Sequence, residues 1–320
     1  MRVGTIGAFA LLLCSGCRFG SETSFDVVHG YADKKVMASD PEGEHVLTSD
    51  VDGQKLRIFD RDGTPVGTLP WLSLGYGGEV ESGRGPYNGA ATAYGAAGFY
   101  VAGGDDVIHW VFPLLGGWAT INWDTVPPIP ESSGRVKVCD ITSGGDGSVY
   151  VLSGERTNLG DSWARGAAWI QRRDANGTWT RKQLAVHTFY ISSLCGYVAY
   201  DVVSDRVLML DQVAGFARRL KPDLSADGTI PVTSASTVQD METLAGSMYL
   251  AYCSGTCGGD TELRILNEDG AVTDARLTGN VHAMTVERPP LPLGNDQEAF
   301  LWTVGENDEG ALTKFELLTE

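Results

Sequence analysis

The chain has 320 residues, 42% of them hydrophobic, with 41 glycines, 13 prolines and a formal net charge of −17. That is ample for a large core, and glycine without a three-residue period or a polar low-complexity tract excludes a collagen-like or disordered chain. The acidic balance, with no basic stripe, excludes a nucleic-acid partner, because a polyanion would be repelled.

In chain order, Met1–Gly16 reads as a targeting segment: Arg2 supplies the positive end, and Val3–Leu13 is an apolar run too short to remain as a bilayer-spanning helix. It ends in Leu13-Cys14-Ser15-Gly16-Cys17. This resembles the lipobox of bacterial lipoproteins, in which signal peptidase II cuts before a cysteine that is then acylated. Ser15, Gly16 and Cys17 match the pattern, whereas Cys14 stands where Leu is usual, with Leu13 beside it. The resemblance implies lipid attachment at Cys17, and several acyl chains make such anchoring effectively permanent. Arg18, in place of the Asp associated with inner-membrane retention, implies the outer membrane, periplasmic or surface-facing. Ordinary secretion, with cleavage near Gly16 or Ser21, is the alternative. Residues 17–23 then form a short tether, and residues 24–320 one domain.

Strand-like runs follow in six groups, identified by β-branched and aromatic content. The second strand of each is the plainest: His45–Ser49, Phe99–Ala102, Val149–Leu152, Val207–Leu210, Met248–Tyr252 and Ala299–Val304. Their spacing, roughly 40–60 residues, suits four-stranded propeller blades. Glu262–Thr273 also repeats Lys55–Val66, with Leu-Arg-Ile and Asp-Gly at matching offsets. Inner strands are expected at Val36–Ser39, Ala90–Tyr94, Val136–Thr142, Tyr197–Val202, Met241–Leu244 and Val281–Val286. Third strands follow each second strand, but an outer strand is lacking after Leu312–Leu317. Phe25–His29, ahead of the first inner strand, supplies it if the two chain ends share the last sheet, which also hides two sheet edges. The expected fold is all-β: a six-bladed β-propeller closed by an N-terminal strand. Val186–Ser193 has the composition of one further strand, so a seventh blade stays open.

Arg61-Asp62-Gly63, Ala175-Asn176-Gly177 and Glu268-Asp269-Gly270 give tight third-to-fourth turns, since Gly after Asp or Asn adopts the positive φ they require. Connections at Trp71–Gly89, Pro127–Gly134, Gly154–Gly166 and Cys253–Asp260 are longer and belong to the opposite face. Binding residues concentrate on such loops. The candidate contact loop is Trp71–Gly89, whose Trp71, Tyr76, Arg84 and Tyr87 suit stacking on saccharide or peptide, with Trp163 facing the same side.

Cys139, Cys195, Cys253 and Cys257 remain after the targeting segment, and an even count in an exported chain favours disulfides. Cys253–Cys257 closes a short hairpin loop, and Cys139–Cys195 joins adjacent inner strands; buried thiols are the alternative for the latter pair. No cysteine or histidine spacing fits a zinc site. Gly160-Asp161-Ser162 superficially resembles the start of the GDS lipases, but the Asp-x-x-His that family needs near its C-terminus lies upstream here, at Asp26–His29.

No catalytic set emerges, and no metal site or cofactor is expected from spacing. The chain resembles the broad group of bacterial envelope lipoproteins with propeller domains of the WD40, NHL or YWTD kind. That implies an anchored, non-enzymatic module holding a protein, peptide or glycan on its loop face. The rival is a calcium-dependent hydrolase or lactonase of the six-bladed type, with axial ligands drawn from Asp140, Asp201, Asp240 and Glu242.

Overall fold

The computed structural model describes residues 19–25, 37–40, 44–49, 55–70, 91–102, 107–130, 135–158, 163–190, 196–244, 246–252, 261–267, 272–277, 281–287, 299–305 and 312–317. The first strand is β1 (Phe19–Phe25). Blade 1 then comprises β2 (Met37–Ser39), β3 (His45–Ser49), β4 (Lys55–Asp60) and β5 (Pro65–Pro70). Blade 2 comprises β6 (Ala91–Gly95), β7 (Gly98–Ala102), β8 (Val107–Leu114) and β9 (Gly117–Thr125). Blade 3 is β10 (Arg135–Ser143), β11 (Val149–Asn158), β12 (Trp163–Arg173) and β13 (Trp179–Tyr190). Blade 4 is β14 (Tyr197–Asp201), β15 (Arg206–Asp211), β16 (Phe216–Leu220) and β17 (Ala226–Pro231). Blade 5 is β18 (Val238–Leu244), β19 (Ser247–Tyr252), β20 (Thr261–Leu266) and β21 (Val272–Leu277). Blade 6 is β22 (Val281–Val286), β23 (Ala299–Gly305) and β24 (Leu312–Leu317), completed by β1.

Each blade is a four-stranded antiparallel sheet, and the inner strands β2, β6, β10, β14, β18 and β22 pack side by side in a closed ring. This is a six-bladed β-propeller. The segment expected as a possible extra strand, Val186–Ser193, instead prolongs β13 as far as Tyr190.

Closure uses the two ends of the chain, as the strand count requires. β1 pairs antiparallel with β24, setting Phe19 opposite Leu317 and Phe25 opposite Leu312. The closing strand lies upstream of the expected Phe25–His29: it takes in residues 19–23, expected as tether, whereas 26–29 lie outside the described residues. Its sequence, FGSETSF, is polar at most positions. An outer strand has one covered face at most, and apolar content is then a poor guide to where pairing begins.

Burial follows from the ring. A blade is covered on both faces by its neighbours, so second strands read as continuous apolar runs instead of alternating. β7 is buried throughout, and β15 and β19 are buried after their first residue. Each seam has its own apolar cluster. Leu47, Leu56 and Ile58 of blade 1 meet Phe99, Val101 and Val111 of blade 2, and Ala199, Leu208 and Leu210 of blade 4 meet Met241, Met248 and Leu250 of blade 5. Where the ring closes, Met37, Val46 and Phe59 pack on Ala283, Trp302 and Leu312.

Connections between first and second and between third and fourth strands share one face, here the turn face. Those between second and third strands and between blades share the other, the loop face. Blades 1 and 3 make near-identical turns on the turn face. Asp60 Oδ1 accepts the N–H groups of Asp62 and Thr64 at 3.0 and 2.8 Å, and Asp174 Oδ1 those of Asn176 and Thr178 at 3.0 and 2.8 Å. Gly63 and Gly177 follow at φ 74° and 89°, a region costly for residues with a Cβ. One long connection departs from the expected division of faces: residues 288–298, joining β22 to β23, belong to the turn face.

Trp302 is fully buried at the closing seam and donates its indole N–H to Glu287 Oε1 at 2.6 Å. Lys314 Nζ lies 3.2 Å from the same oxygen and 4.8 Å from the Trp302 ring centre. Burial pushes the Glu287 carboxyl up from the ordinary glutamate range, against the opposing pull of Trp302 and Lys314. Trp302→Ala is expected to destabilise the protein by about 3–5 kcal/mol, through the cavity it leaves and the loss of one of the two partners of the buried Glu287 carboxylate, measured by urea unfolding.

Candidate functional site: the channel mouth and the blade 3 extension

The inner strands of neighbouring blades belong to separate sheets, so no backbone ladder joins them. Side chains bridge the seams instead. Asp140 follows a bulge in β10; its Oδ1 accepts the N–H of Ile141 at 2.9 Å and its Oδ2 that of Val198 in β14 at 2.7 Å. Asp240 follows a bulge in β18 and repeats the arrangement, with Oδ1 taking the Met241 N–H at 2.8 Å and Oδ2 the Met284 N–H in β22 at 2.6 Å. A bulge re-aims the side chain that follows it, here into the seam.

Hydroxyls do the same elsewhere. Thr142 Oγ1 accepts the Tyr200 N–H at 3.2 Å, and Thr243 Oγ1 donates to the Tyr200 carbonyl at 2.9 Å. Between blades 6 and 1, Thr285 Oγ1 accepts the Ser39 N–H at 3.1 Å, while Ser39 Oγ donates to the Val286 carbonyl at 3.0 Å. Between blades 2 and 3, Ser143 Oγ donates to the Tyr94 carbonyl.

Asp140, Asp240, Glu242 and Tyr197 come together on the inner strands near the loop face, each only partly exposed. Burial pushes the Asp240 carboxyl well above the ordinary aspartate range, and the charge of Glu242 adds to the shift. The Tyr197 phenol is raised for the same first reason, with the Asp240 and Asp140 charges adding to it. A narrow channel screens poorly, so partial exposure does not amount to full hydration. Asp201, grouped with these residues from the sequence, serves elsewhere. It caps the β14–β15 turn, accepting from the Ser204 hydroxyl at 2.6 Å and from the Val203 and Gly246 N–H groups at 3.2 and 3.3 Å. Among the described residues, no group of three or more His, Cys, Asp or Glu side chains is disposed to hold a metal ion.

The second feature is blade 3 itself. Its strands have 9, 10, 11 and 12 residues, against 5 or 6 in blade 4. The additional length lies toward the loop face, where Thr157 pairs with Arg165 and Trp163 with Tyr190. At about 3.3 Å per residue the sheet rises roughly 15 Å beyond an ordinary blade. Most of Gly154–Gly166, expected as a loop, is therefore strand. Glu155-Arg156-Thr157-Asn158 carries no apolar alternation to mark it as strand in the sequence.

Of the contact residues expected from the sequence, Trp163 lies in this extension, next to Ala164, which pairs with Phe189. Trp71, Tyr76, Arg84 and Tyr87 fall outside the described residues, as do Cys17, Cys195, Cys253 and Cys257. Cys139 is the extra residue of the β10 bulge and packs half-buried against the cluster containing Tyr150, Leu152 and Val198. Sequence reasoning missed the seam-bridging role of Asp140 and Asp240; the signal available was an Asp within each of two inner strands, two blades apart.

The chain matches no protein-family profile and no curated protein by sequence. Its fold is similar to many solved structures. A luciferin-regenerating enzyme aligns at TM-score 0.58 and 9% identity, over 92% of this chain and 95% of that one. The calcium-binding protein regucalcin from Agrobacterium tumefaciens aligns at 0.57 and 13%, over 94% and 96%. A chain of the nidogen/laminin complex aligns at 0.54 and 12%, over 79% and 84%. At such identities the likeness defines the fold, which serves enzymes and binding proteins alike.

Because the folded-state pKa of Asp240 is raised, the folded protein holds a proton that the unfolded chain releases above the ordinary aspartate range. Stability therefore falls as pH rises from that range through the shifted value. Glu242→Gln removes the repelling charge, so the decline over the interval above the ordinary aspartate range becomes shallower. Thermal unfolding of both proteins across that interval is the check, and equal slopes would contradict the grouping of the two carboxylates.

Proposed function

We propose that this protein is an envelope-anchored, non-enzymatic binding module that holds a protein, peptide or glycan on its loop face. The observation that carries this reading is the blade 3 sheet rising past the ring on the side of the Trp71–Gly89 connection. A projecting hydrogen-bonded sheet offers a large contact area at little ordering cost. Anchoring rests on the resemblance of Leu13–Cys17 to a lipobox, and Arg18 after it supports the outer membrane as the address.

The rival is a calcium-dependent hydrolase or lactonase, favoured by the gathering of Asp140, Asp240 and Glu242 on the axis. Against it, both oxygens of Asp140 and of Asp240 already accept backbone N–H groups, and in each case the Oδ2 bond ties one blade to the next. Metal ligation would compete with those bonds. The binding reading expects no stoichiometric calcium in the purified protein and an unchanged melting temperature after chelation. A chelation-sensitive melt would favour the hydrolase.

The direct test is affinity capture from membranes with the acylated protein, compared with Trp163→Ala and with a variant lacking Trp71–Gly89. Loss of an aromatic anchor is expected to weaken retention of a specific partner about ten-fold or more. Equal recovery by all three proteins would discard the loop face as the binding surface.

Export also supports pairing of Cys139 with Cys195 and of Cys253 with Cys257. The Asp140–Val198 bond joins the strand of Cys139 to a residue three positions beyond Cys195. Thiol titration of the denatured mature protein is expected to find these four cysteines unreactive until reduced, and four reactive thiols without reductant would contradict the pairing.

A further inference from the structure

The β8–β9 turn departs from its sisters. In blades 1 and 3 the same turn is Asp60–Thr64 and Asp174–Thr178, polar and closed by an Asp carboxylate, and in blade 4 Asp223 Oδ1 accepts the Ser225 N–H at 2.8 Å. Blade 2 has Leu114-Leu115-Gly116-Gly117 there instead. Leu115 is fully exposed and Leu114 is 58% exposed. Gly116 provides the positive φ, 91°, that the tight turn needs, so the two leucines are not required by the turn itself.

The tip is also held firmly. Trp118, just past the turn, packs over Gly67 of blade 1, where an added Cβ would come within 2.5 Å of its ring. Its ring centre lies 5.0 Å from that of His45 and 5.9 Å from that of Phe99. Val66, beside Gly67, is itself 40% exposed. Val66, Leu114 and Leu115 thus lie exposed toward the turn-face ends of blades 1 and 2. Fixed exposure of two leucines and a valine at a rim marks a surface that something covers.

What covers it follows from the strand that closes the ring. Phe19 pairs with Leu317, the last residue of β24, so β1 begins at the turn face. Cys17 precedes it by two positions, at most about 7 Å of chain. Blade 6, where β1 enters, adjoins blade 1, which adjoins blade 2. Resting on the reading of Cys17 as acylated, we propose that the turn face of blades 6, 1 and 2 lies against the lipid bilayer, with Leu114 and Leu115 entering the headgroup boundary as a second contact beside the acyl chains. The loop face and the blade 3 extension then point away from the membrane, open to a partner. An apolar tip adds membrane affinity in proportion to the area it buries, and a second point of contact fixes the orientation that a lone flexible anchor leaves free.

The test uses the full acylated protein in vesicles of phosphatidylethanolamine and phosphatidylglycerol. An environment-sensitive fluorophore is attached at Leu115→Cys and, in a second protein, at Val213→Cys. Val213 is an exposed residue of the β15–β16 turn on the loop face. Both proteins should float with the vesicles; the Leu115 probe should shift to the blue and brighten several-fold on reconstitution, while the Val213 probe stays as in water. Flotation with both probes in water would overturn the proposal and leave the anchor standing. A blue shift at both positions, or one that grows with protein concentration at fixed lipid, would also overturn it, the latter in favour of contact between copies. Failure to float would remove the acylation reading and the proposal with it.

Discussion

Six sheets meeting around an axis can share no backbone ladder at their inner edges, and every other feature of this protein answers to that constraint. The inner strands run past one another with polar groups at their edges that water reaches poorly. Asp140, Thr142, Asp240, Thr243, Thr285 and Ser39 connect them across successive seams, from side chain to backbone. These bonds fix the height of one blade against the next, which apolar packing alone, being non-directional, does not. They also decide what the axial carboxylates are for. A group that holds two blades together is poorly placed to bind or release a ligand, however suggestive its position on the axis.

The same constraint makes the ends of the chain interdependent. A ring with a missing outer strand would leave β24 as an open edge, ready to pair with another chain. β1 covers it, and the closing seam is the one braced by Trp302, Glu287 and Lys314. Closure has a second effect: it sets the start of β1 at the turn face. The face at which β1 starts is thus set by strand pairing in blade 6, three blades around the ring from the blade 3 extension.

Much of the fold could be read from the sequence because burial on both blade faces writes a strong signal. His45–Ser49, Val281–Val286 and Leu312–Leu317 have the bounds their composition indicates. The signal fades where a strand leaves the ring. Residues 155–158 and 185–190 extend blade 3 in polar or mixed sequence, and β1 is mostly polar, so their extents were misjudged. The site was legible only in outline. Loop lengths indicated the face, but no local spacing announces that Asp140 and Asp240, a hundred residues apart, perform one task, since the residues each one bonds lie in the following blade. Leu114-Leu115 was equally silent, because an apolar pair in a strand-like run gives no sign of lying at an exposed tip.

Closure by the first strand is the claim on which the ring, the face assignments and the proposed membrane orientation all depend. Amide hydrogen exchange resolved to β1 tests it directly. Glu22 to Phe25, opposite Phe315 to Leu312, should be protected to the same degree as β24 and lose protection with it on adding denaturant. Exchange of β1 at the rate of a free peptide, while β22 to β24 remain protected, would contradict the account.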